Sequence, residues 1–171
     1  MTRKKKSSEI RSSSVRFGSG ITAFRALPRA KASRPAVILL HERYGIVRHT
    51  KDLTLKLAQA GYVGLAPDLF SRFTGDKKAL QKGDVRVELK DDEVIQDLGE
   101  AIDYLRKLEA VDSSRIAVVG ICQTGRHSLL LTAHRKDLSS CIVYFGAAGG
   151  KEWATDEFRP EPIESLISKL S

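Results

Sequence analysis

The hexapeptide Gly120-Ile121-Cys122-Gln123-Thr124-Gly125 follows the apolar run Ile116–Val119 and leads into a helical stretch. A strand, a tight turn and a helix in that order lift the central side chain above the end of a sheet. The unpaired N–H groups at the helix start then favour a thiolate over a thiol. Cys122 is therefore a candidate nucleophile. The same residues also suit a small apolar side chain buried where a strand ends, the ordinary place of a free cysteine. So tight a turn needs a small residue two positions to either side; Gly120 meets this and Thr124 does not. Two further blocks tip the balance toward chemistry. His41-Glu42-Arg43-Tyr44-Gly45 follows the strand-like AVILL, and Ala66-Pro67-Asp68-Leu69-Phe70-Ser71-Arg72 closes the next apolar run. Both lie at carboxyl ends of strands, where open parallel sheets bind ligands.

Other chemistries find little support. The two cysteines, Cys122 and Cys141, form neither a disulfide framework nor a metal-binding spacing, so no metal or cofactor is expected. Gly18-Ser19-Gly20 lacks the preceding strand and following residues of a phosphate loop and reads as a hairpin turn. His41 lies nearest the proposed rim and suits packing or hydrogen bonding better than base catalysis; His49, His127 and His134 read as exposed or structural.

The elements that must position these residues follow from periodicity. Short β-leaning runs, Ser14 to Phe17 and Ile21 to Leu27, flank the hairpin turn. From Ala36, continuous apolar strands alternate with amphipathic stretches: AVILL, a helix from about Thr50 to Ala60, YVGLA, a helix from about Asp91 to Glu109, then RIAVVG. The first helix has Leu53, Leu57 and Ala60 at helical spacing and stops at Gly61. In the second, Val94, Ile95, Leu98, Ile102, Leu105 and Leu108 share a face, and Val111 to Ser114 makes a turn into the next strand. A helix carrying Ser128 to His134, a strand from Cys141 to Phe145, a loop over 151–160 and a helix from Pro162 to Leu170 complete the chain. Strands apolar on both faces alternating with helices define α/β architecture around a mostly parallel sheet. At 171 residues, one domain is expected.

The net charge of +8 is uneven: residues 1–16 carry six basic side chains against Glu9 alone. Residues 1–14 read as a basic tail without order of its own, since so few apolar groups cannot offset the entropy of ordering. Nucleic acid is not the expected partner, although the tail's charge would allow loose attachment to it. No apolar run approaches the about 18 residues that span a bilayer, so neither a membrane span nor a membrane partner is expected, and a reducing cytoplasmic setting is the default.

The blocks HERYG, GYVGLAPDLFSR and GICQTG, in this order, resemble the dienelactone hydrolase (carboxymethylenebutenolidase) family of α/β-hydrolases, with HE-x-(F/Y)-G, GY-x-x-x-APDL(Y/F)-x-R and G-x-C-x-G-G blocks. The resemblance runs from about residue 15 to about residue 170. It implies an α/β-hydrolase-type fold over residues 15–171, with Cys122 as nucleophile and Glu42 as the carboxylate that helps form the thiolate. Backbone N–H groups of Arg43 and Gln123 would form the oxyanion hole, and Arg72 would clamp a substrate carboxylate. The implied reaction is hydrolysis of a small lactone or activated ester through a thioester. Taken without the resemblance, Glu42 also suits a salt-bridged loop carboxylate and Arg72 a surface cation.

The family's triad is completed by an Asp after the next strand and a His near the C-terminus. Asp156 sits in a charged loop and no histidine follows His134, so the triad acid and base are expected to be absent, together with the last strands of the sheet. This implies a C-terminally incomplete domain, weak or inactive by itself, with Cys141–Phe145 as an open apolar edge through which copies would self-associate. A non-catalytic binding or interaction domain of the same fold is the alternative. The cover and pocket walls fall to residues 73–90, which leave the substrate's identity open.

Overall fold

The computed structural model describes residues 10–29, 32–146 and 150–170. Strands β1 (Ile10–Phe17) and β2 (Ile21–Pro28) form an antiparallel hairpin in which Phe17 pairs with Ile21. Gly18 and Gly20 take φ of 54° and 108° in the turn, a region open to glycine at little cost. β1 begins inside the stretch assigned to the basic tail. Its serines face solvent on an edge strand, and main-chain pairing as far as Ile10 with Pro28 orders it without burial. The rest of that expectation, residues 1–9, lies outside the described residues.

β3 (Arg34–Leu40), β4 (Val63–Pro67), β5 (Val111–Ile121) and β6 (Ser140–Tyr144) run parallel, and β2 joins them antiparallel to β4. The strand order is β1-β2-β4-β3-β5-β6. From β3 the chain passes to β4 on one side and then back across to β5 on the other, so the carboxyl ends of β3 and β5 frame the switch point of the sheet.

Helix α1 (Arg48–Gln59) crosses from β3 to β4. Its buried residues are Thr50, Thr54 and Ala58, while Leu53 and Leu57, the expected apolar stripe, are half-buried. Small residues win because α1 lies close to β4: a Cβ on Gly64 would stand 2.9 Å from Thr54 Cγ2. Leu53 and Leu57 instead line an open apolar groove of about 570 Å³ with Leu39, Val119, Ile142 and Tyr144. A short helix the periodicity did not show, α2 (Lys77–Lys82), is capped by the Asp76 carboxylate, which accepts from the N–H groups of Lys78 and Ala79, and ends at Gly83 with φ 86°.

Helix α3 (Asp91–Arg106) buries Val94, Leu98, Ala101, Ile102 and Leu105, with Asp97 inside the same stripe. β5 begins four residues before the expected turn ends, at Val111. The turn chemistry survives as an irregularity. Arg34 pairs with Val111 and Ala36 next with Ile116, while the Asp112 carboxylate accepts from the backbone and hydroxyl of Ser114 and from Arg115.

A 3₁₀ turn (Cys122–Thr124) leads from β5 into α4 (Gly125–His134), which packs on α3, β5 and β6. α5 (Gly150–Trp153) occupies the start of the expected loop, and α6 (Ile163–Ser168), opened by Pro162, packs on α4. The main core joins Ile38, Leu40, Leu65, Leu98, Ile102, Ile116 and Val118. At the end of the sheet, Ile142, Tyr144 and Phe145 are exposed. No helix among the described residues is long and apolar enough to cross a membrane.

Candidate active site

The site is built where β5 gives way to α4. Cys122 has φ 55°, one of two described non-glycine residues with a positive φ, and its side chain is half-buried. A left-handed residue between a strand and a helix reverses the chain sharply and lifts its Cβ off the sheet, at a backbone cost of about 1–2 kcal/mol. Gly120 makes the turn feasible: a Cβ there would stand 2.5 Å from Thr124 O and 2.6 Å from Ser128 Oγ. Thr124, too large by the small-residue rule, is accommodated because it is bonded rather than merely packed. Its buried Oγ1 accepts from Ile121 N–H (3.1 Å) and donates to Ile121 O (3.0 Å), closing the turn on itself.

β3 delivers the second component. Leu40 pairs with Gly120, so Glu42 and Cys122 each follow two residues after a paired position on adjacent strands. Glu42 is half-buried at the rim of the apolar groove. The loop that carries it is held by His41. The ring Nε2 accepts from Leu69 N–H (3.1 Å), so Nδ1 carries the proton and donates to Glu42 O (2.7 Å). Burial lowers the His41 pKa against the opposing pull of Asp68, which stands 3.9 Å away. His41 is thus a neutral tie between the HERYG loop and the APDLFSR block, with both nitrogens engaged.

The other imidazoles are also placed. His127 is buried, and burial together with the Arg126 and Arg159 cations pushes its pKa down to about 3. His134 Nε2 stands 2.9 Å from the Glu161 carboxylate, and His49 is exposed at the start of α1 beside the groove. Asp156 caps its own loop, accepting from the N–H groups of Phe158 and Arg159.

Arg72 does not reach the rim unencumbered. Its Nη1 and Nη2 donate to the two oxygens of Asp97 at 2.5 and 2.6 Å. The Arg72 side chain is 43% exposed and that of Asp97 only 2%, so the pair holds a buried carboxylate on α3. Sequence reasoning missed this partner, although an aspartate set among Val94, Leu98 and Ala101 is itself a signal that a cation must meet it. A second buried pair was also missed. Arg126 on α4 donates to Asp91 (2.5 Å) at the start of α3 and to Glu161 O (2.6 Å), docking the 156–161 segment behind the elbow. Burial raises the Asp91 pKa, and Arg126 opposes that shift.

A mixed, largely parallel sheet with helices on both faces and a left-handed residue at the strand-to-helix turn after β5 defines an α/β-hydrolase-type fold. The crystal structure described as a "Putative Dienelactone Hydrolase" from Klebsiella pneumoniae superimposes with a TM-score of 0.78 over 95% of this chain and 80% of its own, at 23% identity. Within that class the chain belongs to the dienelactone hydrolase family, which residues 21–168 match. A Methylorubrum extorquens protein named "Putative carboxymethylenebutenolidase" is 30% identical over 135 residues, covering 76% of this chain and 46% of its own length. A Bradyrhizobium protein named "Probable 2-oxo-3-(5-oxofuran-2-ylidene)propanoate lactonase" is 34% identical over 151 residues, covering 87% of this chain and 60% of its own. The chain thus spans about half the length of the curated relatives it matches.

Proposed function

We propose that this domain cleaves small lactones or activated esters with Cys122 as nucleophile. The observation that carries the reading is the left-handed backbone at Cys122 after β5, with Glu42 just past the end of the neighbouring strand β3. Strain of this kind persists where function requires it. In the proposed step, Glu42 takes the thiol proton and the sulfur attacks the carbonyl carbon. The N–H groups of Arg43 and Gln123 receive the negative charge on the carbonyl oxygen. Expulsion of the alkoxide arm, which takes the proton back from Glu42, leaves a thioester, and water then splits the thioester into the acid and the free thiol. A lactone is an ester of this kind, and the Bradyrhizobium relative is named as a lactonase.

Arg72 enters as the carboxylate clamp only by exchanging Asp97 for substrate, since both terminal nitrogens are bonded to Asp97. Deacylation is proposed to be slow in this chain, because His41 has both ring nitrogens bonded to main chain and His134 is paired with Glu161. The test is alkylation and acylation kinetics. Iodoacetamide is expected to label Cys122 faster than Cys141, and p-nitrophenyl acetate to give a burst of about one equivalent that Cys122→Ala abolishes. Equal labelling of the two thiols with no burst would overturn the reading.

A second reading rests on β6. Residues Cys141–Gly146 carry no charge to guard an edge on which Ile142, Tyr144 and Phe145 are exposed, and we propose that copies pair along it. Elution volume in size exclusion should then fall with rising concentration; a monomer at every concentration would exclude this pairing.

A further inference from the structure

The two residues whose backbone amides are proposed to form the oxyanion hole also hold the same stretch of chain with their side chains. Arg43 Nη2 donates to Gly83 O at 3.1 Å, and Gln123 Nε2 donates to Val87 O at 2.7 Å. Arg43 comes from the loop after β3 and Gln123 from the elbow after β5, so the segment 83–87 is bound at its two ends by the two sides of the site. The fit at the first end is close. A Cβ on Gly83 would stand 2.6 Å from Arg43 Nη2 and 2.8 Å from Tyr44 Cε1, and the Arg43 guanidinium lies 5.1 Å from the centre of the Tyr44 ring. On either side of the segment, buried Leu80 and Leu89 anchor the chain to the core. Between those anchors Asp84, Arg86 and Glu88 are exposed, and Val87 rests partly buried on the core. The N–H groups of Gly83 and Asp84 donate to Leu80 O and Ala79 O at the end of α2, so the two side-chain bonds are what ties this stretch to the two loops of the site.

The docked arrangement also carries a cost. Arg43 Nε and Gln123 Oε1 are buried and lack a hydrogen-bond partner. A buried polar atom without a partner is unfavourable, and hydration relieves it when the strap lifts. The two buried unpaired atoms therefore oppose the two side-chain bonds that join the strap to the loops.

We propose that Arg43 and Gln123 are positioning residues that dock segment 83–87 over the elbow, so that the cover of the site and the backbone donors of its oxyanion hole form one mechanical unit. The oxyanion part rests on the reading of Cys122 given above. A substrate that displaces the strap would shift the two loops that present the donor amides, and strap closure would return them. Choice of substrate size would then be set at residues 83–87 and transmitted through two side chains that never touch the reacting bond.

The experiment is amide hydrogen exchange followed by mass spectrometry on the full chain, comparing the unaltered protein with Arg43→Met/Gln123→Met. Removal of both bonds is expected to speed exchange across 83–90 by about tenfold or more while peptides of β3 and β5 keep their protection. Arg43→Lys, which retains a donor for Gly83 O, should restore part of the protection. Unchanged exchange across 83–90 in the double variant overturns the proposal. Should the double variant lose protection everywhere, the single Gln123→Met variant decides by the same comparison of 83–90 with the strands. Failure of the nucleophile reading appears separately, as Cys122 labelling no faster than Cys141, and exchange across 83–90 does not depend on it.

Discussion

Glu42 and Cys122 each stand two residues beyond a paired position, Leu40 on β3 and Gly120 on β5, so both follow the carboxyl ends of neighbouring parallel strands. The pairing of strands 80 residues apart in sequence brings the loop that carries Glu42 beside the turn that carries Cys122. It also places both at the switch point, where the chain's departure to opposite sides of β3 opens a crevice.

The left-handed backbone at Cys122 predicts an inverted preference between two small residues. In regular structure glycine is the less stable by about 0.5–1 kcal/mol relative to alanine. At φ 55° the Cβ is the burden, so Cys122→Gly should exceed Cys122→Ala in stability by about 1 kcal/mol. Urea denaturation of the two variants measures the difference; alanine equal to or better than glycine would remove strain from the account of the elbow.

Thr124 closes the turn through its hydroxyl, not its size. Thr124→Val keeps the shape and leaves Ile121 N–H and O without that partner, for an expected loss of about 1–3 kcal/mol. Thr124→Ser, which keeps the oxygen, should lose less. A loss in Thr124→Ser as large as or larger than that in Thr124→Val would overturn the hydroxyl's role as the main one.

The Arg72–Asp97 pair sets structure against substrate binding. Arg72→Met strands a carboxylate that is only 2% exposed, and the expected loss is about 3 kcal/mol, less whatever water reaches Asp97 through the gap. Adding Asp97→Leu should recover most of it. If Arg72→Met leaves the denaturation midpoint where it was, the guanidinium is free to serve a substrate.

Acid should weaken the fold before the carboxylates titrate. His127 is held neutral down to about pH 3, and burial also lowers the pKa of His41. The unfolded chain takes up protons at these positions near pH 6.5 and the folded chain does not. Their contribution is therefore complete above about pH 6.5 and is lost as pH falls from there toward the folded values, on the order of a few kcal/mol. Denaturation midpoints between pH 7 and 4 should fall steeply for the unaltered chain and less steeply for His127→Leu. Parallel profiles would mean that His127 is hydrated and titrates normally.

What the sequence by itself determined was local and periodic. Apolar runs at Ala36–Leu40, Tyr62–Ala66 and Ile116–Val119 specified buried parallel strands, the second of which starts one residue later, at Val63. Three motif blocks at strand ends pointed to the family to which the chain belongs and to the loops proposed for the chemistry. The helix α2 escaped because six residues hold too little of a 3.6-residue period, although its Asp76 cap and Gly83 stop were both in view. The apolar face of α1 was misjudged because leucines announce burial, whereas close approach of a helix to Gly64 selects threonine and alanine. Tertiary structure alone decided the pairings across long separations: Asp97 with Arg72, Asp91 with Arg126, Leu69 N–H with His41, and Val87 O with Gln123. A buried charge or main-chain group must find a partner wherever the fold brings one, and chain separation carries no record of which one that will be.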